Sequence, residues 1–150
     1  MISGKLVHLI ETHGEEILDR VILQIRREPE MTHMRTLLDS QLREYGQDLL
    51  HNLGHWLQTP NEDDVARRYE RLGRARFEED VPLHESVHAL CLVREKVLDF
   101  VEEHIASKNA VELYAEEELD RRLGRFFDLL TVYLVRGYER AWRRAAAYTA

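Results

Sequence analysis

Apolar residues recur every three to four positions along almost the whole chain, while the two-residue alternation of a half-buried strand is nearly absent. Five segments carry this helical period, and residues that disfavour helix interiors separate them. The pattern predicts an all-α, single-domain five-helix bundle over residues 1–150, with helices at about 3–27, 33–58, 62–79, 82–106 and 110–146.

Proline and glycine mark the boundaries of the predicted helices. Pro29 ends the first helix, because proline lacks a backbone N–H and its ring clashes with the preceding turn. Asn61 is placed to cap the third helix, and the acids that follow it suit a helix N-terminus. Pro82 fits the first turn of the fourth helix. Gly14 is expected to weaken or kink the first helix.

The core-facing positions follow from the same spacing. In the first helix they are Leu6, Ile10, Ile17, Val21 and either Gln24 or Ile25. In the second helix they are Leu38, Leu42, Tyr45, Leu49, Leu53 and Trp56. In the fourth helix they are Leu83, Val87, Leu90, Leu98, Val101 and Ile105.

The last predicted helix is the longest and has the widest apolar stripe. A helix that is apolar over so wide an arc is expected to pack on its own domain and also on a second copy. The alternative is a central core helix that is contacted from two sides within one bundle. The prediction is a homodimer with the interface residues Leu119, Leu123, Phe126, Phe127, Leu130, Tyr133, Leu134, Tyr138 and Trp142.

Composition and charge narrow the classes of function. The chain has 150 residues and a net charge of −7, which suits one globular domain and does not favour a nucleic-acid partner. The single cysteine, Cys91, excludes an intramolecular disulfide and is typical of a reducing cytosol. The chain opens without a secretory leader, and its apolar runs are shorter than the roughly 18 residues of a membrane span. We therefore expect a cytoplasmic protein that does not cross a membrane.

Residues 84–88, HESVH, fit the H-E-x-x-H pattern of zinc proteases, in which two histidines hold the metal and the glutamate activates a water. A helical wheel places Glu85 nearly opposite the core, and a general base that points into solvent is poorly placed. In the extended pattern a third histidine follows, but Arg94 stands at that position. We therefore expect no enzyme and predict no catalytic residue.

A weaker metal site remains as an alternative. His84, His88, Cys91 and Glu95 fall on one flank of the fourth helix, and their side chains are ligand types for zinc or iron. Helix bundles build metal and haem sites from such side chains. The competing interpretation of each histidine is an ordinary surface residue, and Cys91 also fits a small buried hydrophobe. The leading prediction is no cofactor, with zinc, iron or haem as the alternative.

Three further histidines have positions that the wheel predicts. His51 and His55 form a second H-x-x-x-H pair, which is expected to face solvent. His13 falls on the apolar stripe of the first helix, where a histidine is expected to be a hydrogen-bonded core residue.

The stretch RRYERLGRARFEEDVPLHESVHALCLVREKVLDFVEEH resembles the N-terminal domain of the RsbT co-antagonist (RsbR-type) family, which precedes bacterial signalling modules. The resemblance rests on Arg76, on Val81-Pro82-Leu83 with Glu85, and on the helix through Leu90 and Arg94. Val81 stands where some relatives have a glycine. The closing FFDLLTVYLVRGYERA is also similar to the last helix of that family.

The resemblance implies an all-helical, globin-like domain without haem that dimerises and passes its signal to a C-terminal module, often a STAS domain. It also implies that Glu85 is an acid near a helix start, where the helix dipole favours negative charge, and that the histidines are incidental. The chain ends at Ala150 without such a module. The expectation is a stand-alone sensor or adaptor, or the sensory part of a larger regulator.

The leading prediction is therefore a non-enzymatic bacterial signalling domain of the stress response that dimerises through its last helix and acts by protein–protein interaction. The implied partner is a kinase or a STAS-type protein. Such a domain passes a signal by shifting its helix packing, which requires a ligand or partner that prefers one packing. The alternative is a metal- or haem-binding helical sensor that uses His84 and His88.

Overall fold

The computed structural model describes residues 4–57, 62–105 and 109–149. Within them the chain forms helices and no strand, so the predicted all-α class is confirmed. In chain order the helices are α1 (Gly4–Thr12), α2 (Gly14–Arg27), α3 (Asp39–His51), α4 (Leu53–Trp56), α5 (Glu62–Glu78), α6 (Leu83–His104) and α7 (Ala110–Thr149). The helix ends predicted at residues 3, 58 and 106 lie outside the described residues.

The first predicted helix is two helices that meet at His13. The φ of −110° and ψ of 23° at His13 interrupt the helical run just before Gly14. A methyl group at Gly14 would lie 3.3 Å from the Cβ of Leu50, so glycine allows α2 and α3 to approach closely. The predicted core residues of these helices, Leu6, Ile10, Ile17, Val21 and Ile25, are buried.

The second predicted helix begins later and is also divided. Residues 34–36 form a short 3-10 turn, and α3 begins only at Asp39. Leu38 precedes the helix with an extended backbone and is 68% exposed, so its prediction as a core residue was wrong. Asn52 separates α3 from α4, while Leu49 and Leu53 on either side of the break are buried as predicted.

The turn between α5 and α6 has the hydrogen bonds of a Schellman motif. The N–H of Val81 donates to the carbonyl of Arg76 over 2.9 Å, and the N–H of Asp80 donates to that of Phe77 over 3.0 Å. Asp80 occupies the left-handed position with a φ of 61°, where glycine is the usual residue. Val81 is buried, and it brings Pro82 and the start of α6 under the C-terminal half of α7.

The core face of α6 differs from the predicted one. Leu83, predicted to be buried, is 38% exposed, whereas Glu85 is 1% exposed and Ser86 is buried. Because α6 packs between α2 and α7, its buried arc is broad. The buried residues of α6 are Glu85, Ser86, Ala89, Leu90, Leu92, Val93, Val97, Phe100 and Val101.

The α5–α7 crossing, which we define by Gly73 on α5 and Gly137 on α7, brings two helix backbones into contact. A methyl group at Gly73 would lie 2.2 Å from the carbonyl oxygen of Leu134. One at Gly137 would lie 2.2 Å from the carbonyl oxygen of Glu70. Since real Cβ atoms do not approach backbone oxygens so closely, only glycine fits at either position.

None of the described helices is both long and apolar enough to cross a membrane.

Candidate functional site

Glu85, the glutamate of HESVH, is a buried carboxylate that anchors the segment between α2 and α3. One oxygen accepts the N–H groups of His33 at 3.0 Å and Met34 at 2.8 Å. The other accepts from Nδ1 of His33 at 3.1 Å. The prediction that Glu85 faces solvent was therefore wrong, because the true core face of α6 includes it.

The electrostatics of Glu85 suit an anchor and not a general base. Burial raises the pKa of its carboxyl, but the hydrogen bonds from Met34 and His33 outweigh this and hold the pKa below its ordinary value. A carboxylate whose oxygens already accept backbone N–H groups has little capacity to take a proton from water. Glu85 thus fastens the start of α6 to the short 3-10 turn at residues 34–36.

A second polar anchor joins α6 to α7 beside the α5–α7 crossing. The hydroxyl of Tyr138 donates to the carbonyl of Val81 over 2.8 Å. Ser86 Oγ lies 2.7 Å from the same hydroxyl, and it donates, since the proton of Tyr138 is already used. Burial raises the pKa of Tyr138 to about 12, against the opposing effect of the bond with Ser86.

The four candidate metal ligands lie together on the outer flank of α6. His84, Cys91 and Glu95 are exposed and His88 is partly buried, so the expectation of a buried Cys91 was wrong. Among the described residues, no group of three or more His, Cys, Asp or Glu side chains is arranged to hold a metal ion. The metal site on α6 gains no support from this geometry and stays a prediction.

The helices leave little space for a haem in their core. The cavity enclosed between α2, α3, α5, α6 and α7, where a helix bundle would hold such a group, is about 60 Å³. Pockets for cofactors and drug-sized ligands are typically about 300–1,000 Å³. A haem would therefore have to displace core side chains such as Leu18, Leu90 and Leu134.

The residues predicted as a dimer interface lie mostly in the protein's own core. Of the nine, only Trp142 is exposed, at 64%. The eight buried ones are Leu119, Leu123, Phe126, Phe127, Leu130, Tyr133, Leu134 and Tyr138. They match the alternative of a central core helix contacted from two sides, because α7 packs on both α5 and α6. The exposed large apolar side chains in the middle of α7 are instead Leu129 and Val132, at 41% and 51%.

A large cleft opens where α1, the last turn of α6 and the first turns of α7 meet. Its volume is about 620 Å³, and we call it the end cleft. The apolar residues that line it are Leu6, Leu9, Ile105, Val111 and Ala115. The polar ones are Lys5, His8, Thr12, His13, His104, Asn109 and Glu112.

Two histidines of the end cleft have a defined hydrogen-bonding pattern. Nδ1 of His13 lies 3.0 Å from the carbonyl of Leu9, and Nδ1 of His104 lies 2.9 Å from that of Phe100. A carbonyl only accepts, so Nδ1 carries the proton in each ring, and Nε2 is left as an acceptor in the neutral form. His104 stacks on Phe100 with ring centroids 3.9 Å apart, and His13 lies 5.9 Å from His104.

The sequence reasoning missed the end cleft, although it placed some of these residues correctly. His13 is partly buried and hydrogen-bonded, and His51 and His55 are exposed, in line with the wheel. The signal that was available is the spacing of histidines at helix ends, in HLIETH at residues 8–13 and at His104. That signal is weak, because it does not say which helix ends meet.

Comparison with known proteins adds one finding. Over residues 15–149 the chain is similar to the family described as the RsbT co-antagonist protein rsbRD N-terminal domain. The matched range covers α2 to α7 and leaves out α1, which forms one wall of the end cleft. No curated protein and no solved structure matches the chain.

Proposed function

We propose that this chain acts by protein–protein contact as a homodimer. It belongs to the family of RsbT co-antagonist protein rsbRD N-terminal domains and is thus a bacterial stress-signalling regulatory domain. The family match over residues 15–149 is the observation that carries this proposal. Domains of this type work in signalling complexes with other proteins. The partner that we propose is a kinase or a STAS-type protein, with the chain acting as a single cytoplasmic domain.

The proposed dimer contact is the exposed face of α7 around Leu129 and Val132, together with Trp142. This revises the predicted interface, because the other residues of that prediction are buried within one chain. Leu129 and Val132 lie close to the midpoint of Ala110–Thr149. A contact at the midpoint of a helix suits two copies that are related by a two-fold axis.

The charge distribution along α7 favours an antiparallel arrangement of the two copies. Residues 110–120 contain five carboxylates and neither lysine nor arginine. Residues 121–149 contain seven arginines and two carboxylates. An antiparallel pair of α7 helices would align the acidic part of each with the basic part of the other, and complementary charge fixes the orientation of interfaces.

Light scattering and sedimentation at high micromolar concentration test the dimer. We expect a dimer for the native chain and a monomer for Val132→Glu, because the substitution would bury two charges at the two-fold axis. Leu23→Glu, at a 49%-exposed position of α2, is the matched control and should leave the dimer intact. A native chain that stays monomeric, or equal dimerisation of the two variants, would contradict the proposed contact.

A charge exchange tests the antiparallel orientation separately. Glu117 and Arg143 lie at comparable distances from the two ends of α7. Glu117→Arg should weaken the dimer, and adding Arg143→Glu in the same chain should restore it, since each pairs with the partner's opposite end. A double variant that is weaker than both single variants would exclude this orientation.

The absence of catalysis is part of the proposal. The hydrogen bonds to Glu85 support it, since they occupy the group that a zinc protease would use as its base.

The metal- or haem-sensor alternative is tested by elemental analysis and an absorbance spectrum of untagged protein purified without chelator. Stoichiometric zinc or iron, or a Soret band, lost in His84→Ala and His88→Ala variants, would establish that alternative.

A further inference from the structure

We propose that the end cleft is a binding site for a small-molecule carboxylate with an extended hydrocarbon body, such as a medium- or long-chain fatty acid. The proposal does not depend on the α7 dimer, because the cleft lies where α1 meets the start of α7, away from Val132. It names the class of ligand to which this regulatory domain would respond.

The size and the walls of the cleft suit an apolar body. Its volume of about 620 Å³ falls within the range of about 300–1,000 Å³ that is typical of small-molecule sites. Its apolar side chains come from α1, from Ile105 after α6 and from α7. Val111 is 77% exposed, so a hydrocarbon chain that covered it would remove apolar surface from water.

The polar side chains of the cleft favour a negative head group. The chain as a whole has a net charge of −7, so its overall charge does not attract anions. The end cleft is different, since Lys5 and three histidines line it and Glu112 alone among its described lining residues is acidic. Lys5 brings an ammonium group to the wall of the cleft.

The imidazoles of His13 and His104 can adapt to a carboxylate. Their Nδ1 protons are held by backbone carbonyls, so each ring meets a ligand with Nε2. A nearby carboxylate favours the protonated ring, in which Nε2 becomes a donor. The ionisable groups around the pair are Lys5 and His8 on α1, Glu112 on α7, and the ion pair of Arg20 with Glu103. The guanidinium of Arg20 lies 5.3 Å from the centre of the Phe100 ring on which His104 stacks.

A ligand in this position would act on helix packing. It would contact α1, the end of α6 and the start of α7 at once. A ligand shifts an equilibrium between two packings only when it contacts them differently. A site that is shared by the ends of three helices meets that condition more readily than a site on one helix.

Isothermal titration calorimetry of the full chain with three probes tests the head group and the body. The probes are decanoate, decyltrimethylammonium with the same chain but the opposite charge, and butyrate with the same head but a short body. We expect saturable binding of one decanoate per chain, and affinities at least about tenfold weaker for the other two. Equal affinities of decanoate and decyltrimethylammonium, or no binding of decanoate at millimolar concentration, would overturn the proposal.

Variants then locate the site. Lys5→Gln should weaken decanoate binding about two- to fivefold, as expected for one exposed charge pair, while Lys96→Gln on α6 is the matched control. His104→Phe keeps a ring stacked on Phe100 but removes both nitrogens, and it should weaken decanoate binding by about threefold or more, as for the loss of one hydrogen bond. Binding that is unchanged in both Lys5→Gln and His104→Phe would place the ligand elsewhere and overturn the assignment.

Discussion

Two regions of α7, around Gly137 and at its first turns, meet very different surroundings. At the α5–α7 crossing, Gly137 lies against the backbone of α5 with no room for a methyl group, and the neighbouring Tyr138 holds the start of α6. At the end cleft, Val111 is 77% exposed beside about 620 Å³ of open space. One part of the helix is thus fixed by backbone contact and buried hydrogen bonds, and the other is free to be repacked. We expect substitutions to be costly at the crossing and cheap at the cleft.

The largest expected effect is that of Gly137→Ala. The added methyl group would lie 2.2 Å from the carbonyl oxygen of Glu70, so α5 and α7 would have to separate. Overpacking of this kind should lower the free energy of unfolding by about 3 kcal/mol, measured by urea denaturation.

Gly124→Ala is the matched control on the same helix. A methyl group there would find only the Nη1 of Arg94, at an ordinary contact distance of 3.5 Å. Since alanine is the better helix former, this variant should be neutral or stabilised by up to about 1 kcal/mol. Equal destabilisation of the two variants would mean that the crossing is not the tight contact described.

Glu85→Gln tests the anchor at the start of α6. The amide would direct its NH₂ group at the N–H donors of His33 and Met34 or leave them with a weaker acceptor. We expect a loss of about 2 kcal/mol from the free energy of unfolding, as for a disrupted buried hydrogen-bond pair. The exposed Glu95→Gln on the same helix should change stability by less than about 0.5 kcal/mol.

The pH dependence of the Glu85 contribution has a definite sign. The folded protein holds the pKa of Glu85 below its ordinary value of 4.5, so the unfolded chain binds this proton more readily. The stabilisation is fully present above that ordinary pKa and is lost as the pH falls through the lower, folded value. Urea denaturation should therefore show the difference between the native chain and Glu85→Gln shrinking below about pH 4.5. A difference that grows on acidification would show that Glu85 is not a charged anchor.

The predicted and observed positions of Glu85 show what helical periodicity can and cannot predict. A wheel centred on the large residues Leu83 and Val87 placed this carboxylate in solvent. The actual core face of α6 includes small residues such as Ser86 and Ala89, because α7 packs closely there. The helices and the wide apolar arc of α7 were predictable, since both depend on local spacing.

Tertiary partners were not predictable from the same spacing. The width of an apolar stripe alone does not tell whether α7 packs on its own bundle or on a second copy. Most of the predicted interface residues are buried within the same chain. Glycine is required at Gly73 and Gly137 because α5 and α7 contact each other there, and the two positions are 64 residues apart in the sequence. The end cleft depends on which helix ends meet, and the sequence of one helix does not predict this.

Tyr138→Phe should have a smaller effect than Glu85→Gln. The substitution removes the hydroxyl that bridges Ser86 and the carbonyl of Val81 but keeps the ring. We expect a loss of about 1 kcal/mol, typical of one neutral buried hydrogen bond, with Tyr148→Phe at a 94%-exposed position as the unchanged control. Combined with Ser86→Ala, it should lose less than the sum of the two single losses, because the two hydroxyls share a bond.

The smallest expected effect is that of Ala115→Leu, which adds three carbons to α7 on the side of the end cleft. Ala115 lines about 620 Å³ of open space, so the larger side chain can enter it without displacing backbone. The free energy of unfolding should change by less than about 0.5 kcal/mol in urea denaturation, although one carbon at Gly137 costs several times more. A loss comparable to that of Gly137→Ala would mean that the start of α7 is packed as tightly as the crossing, and the contrast between these two regions of α7 would fail. A small change accompanied by weaker decanoate binding would show instead that the space is real and that the ligand uses it.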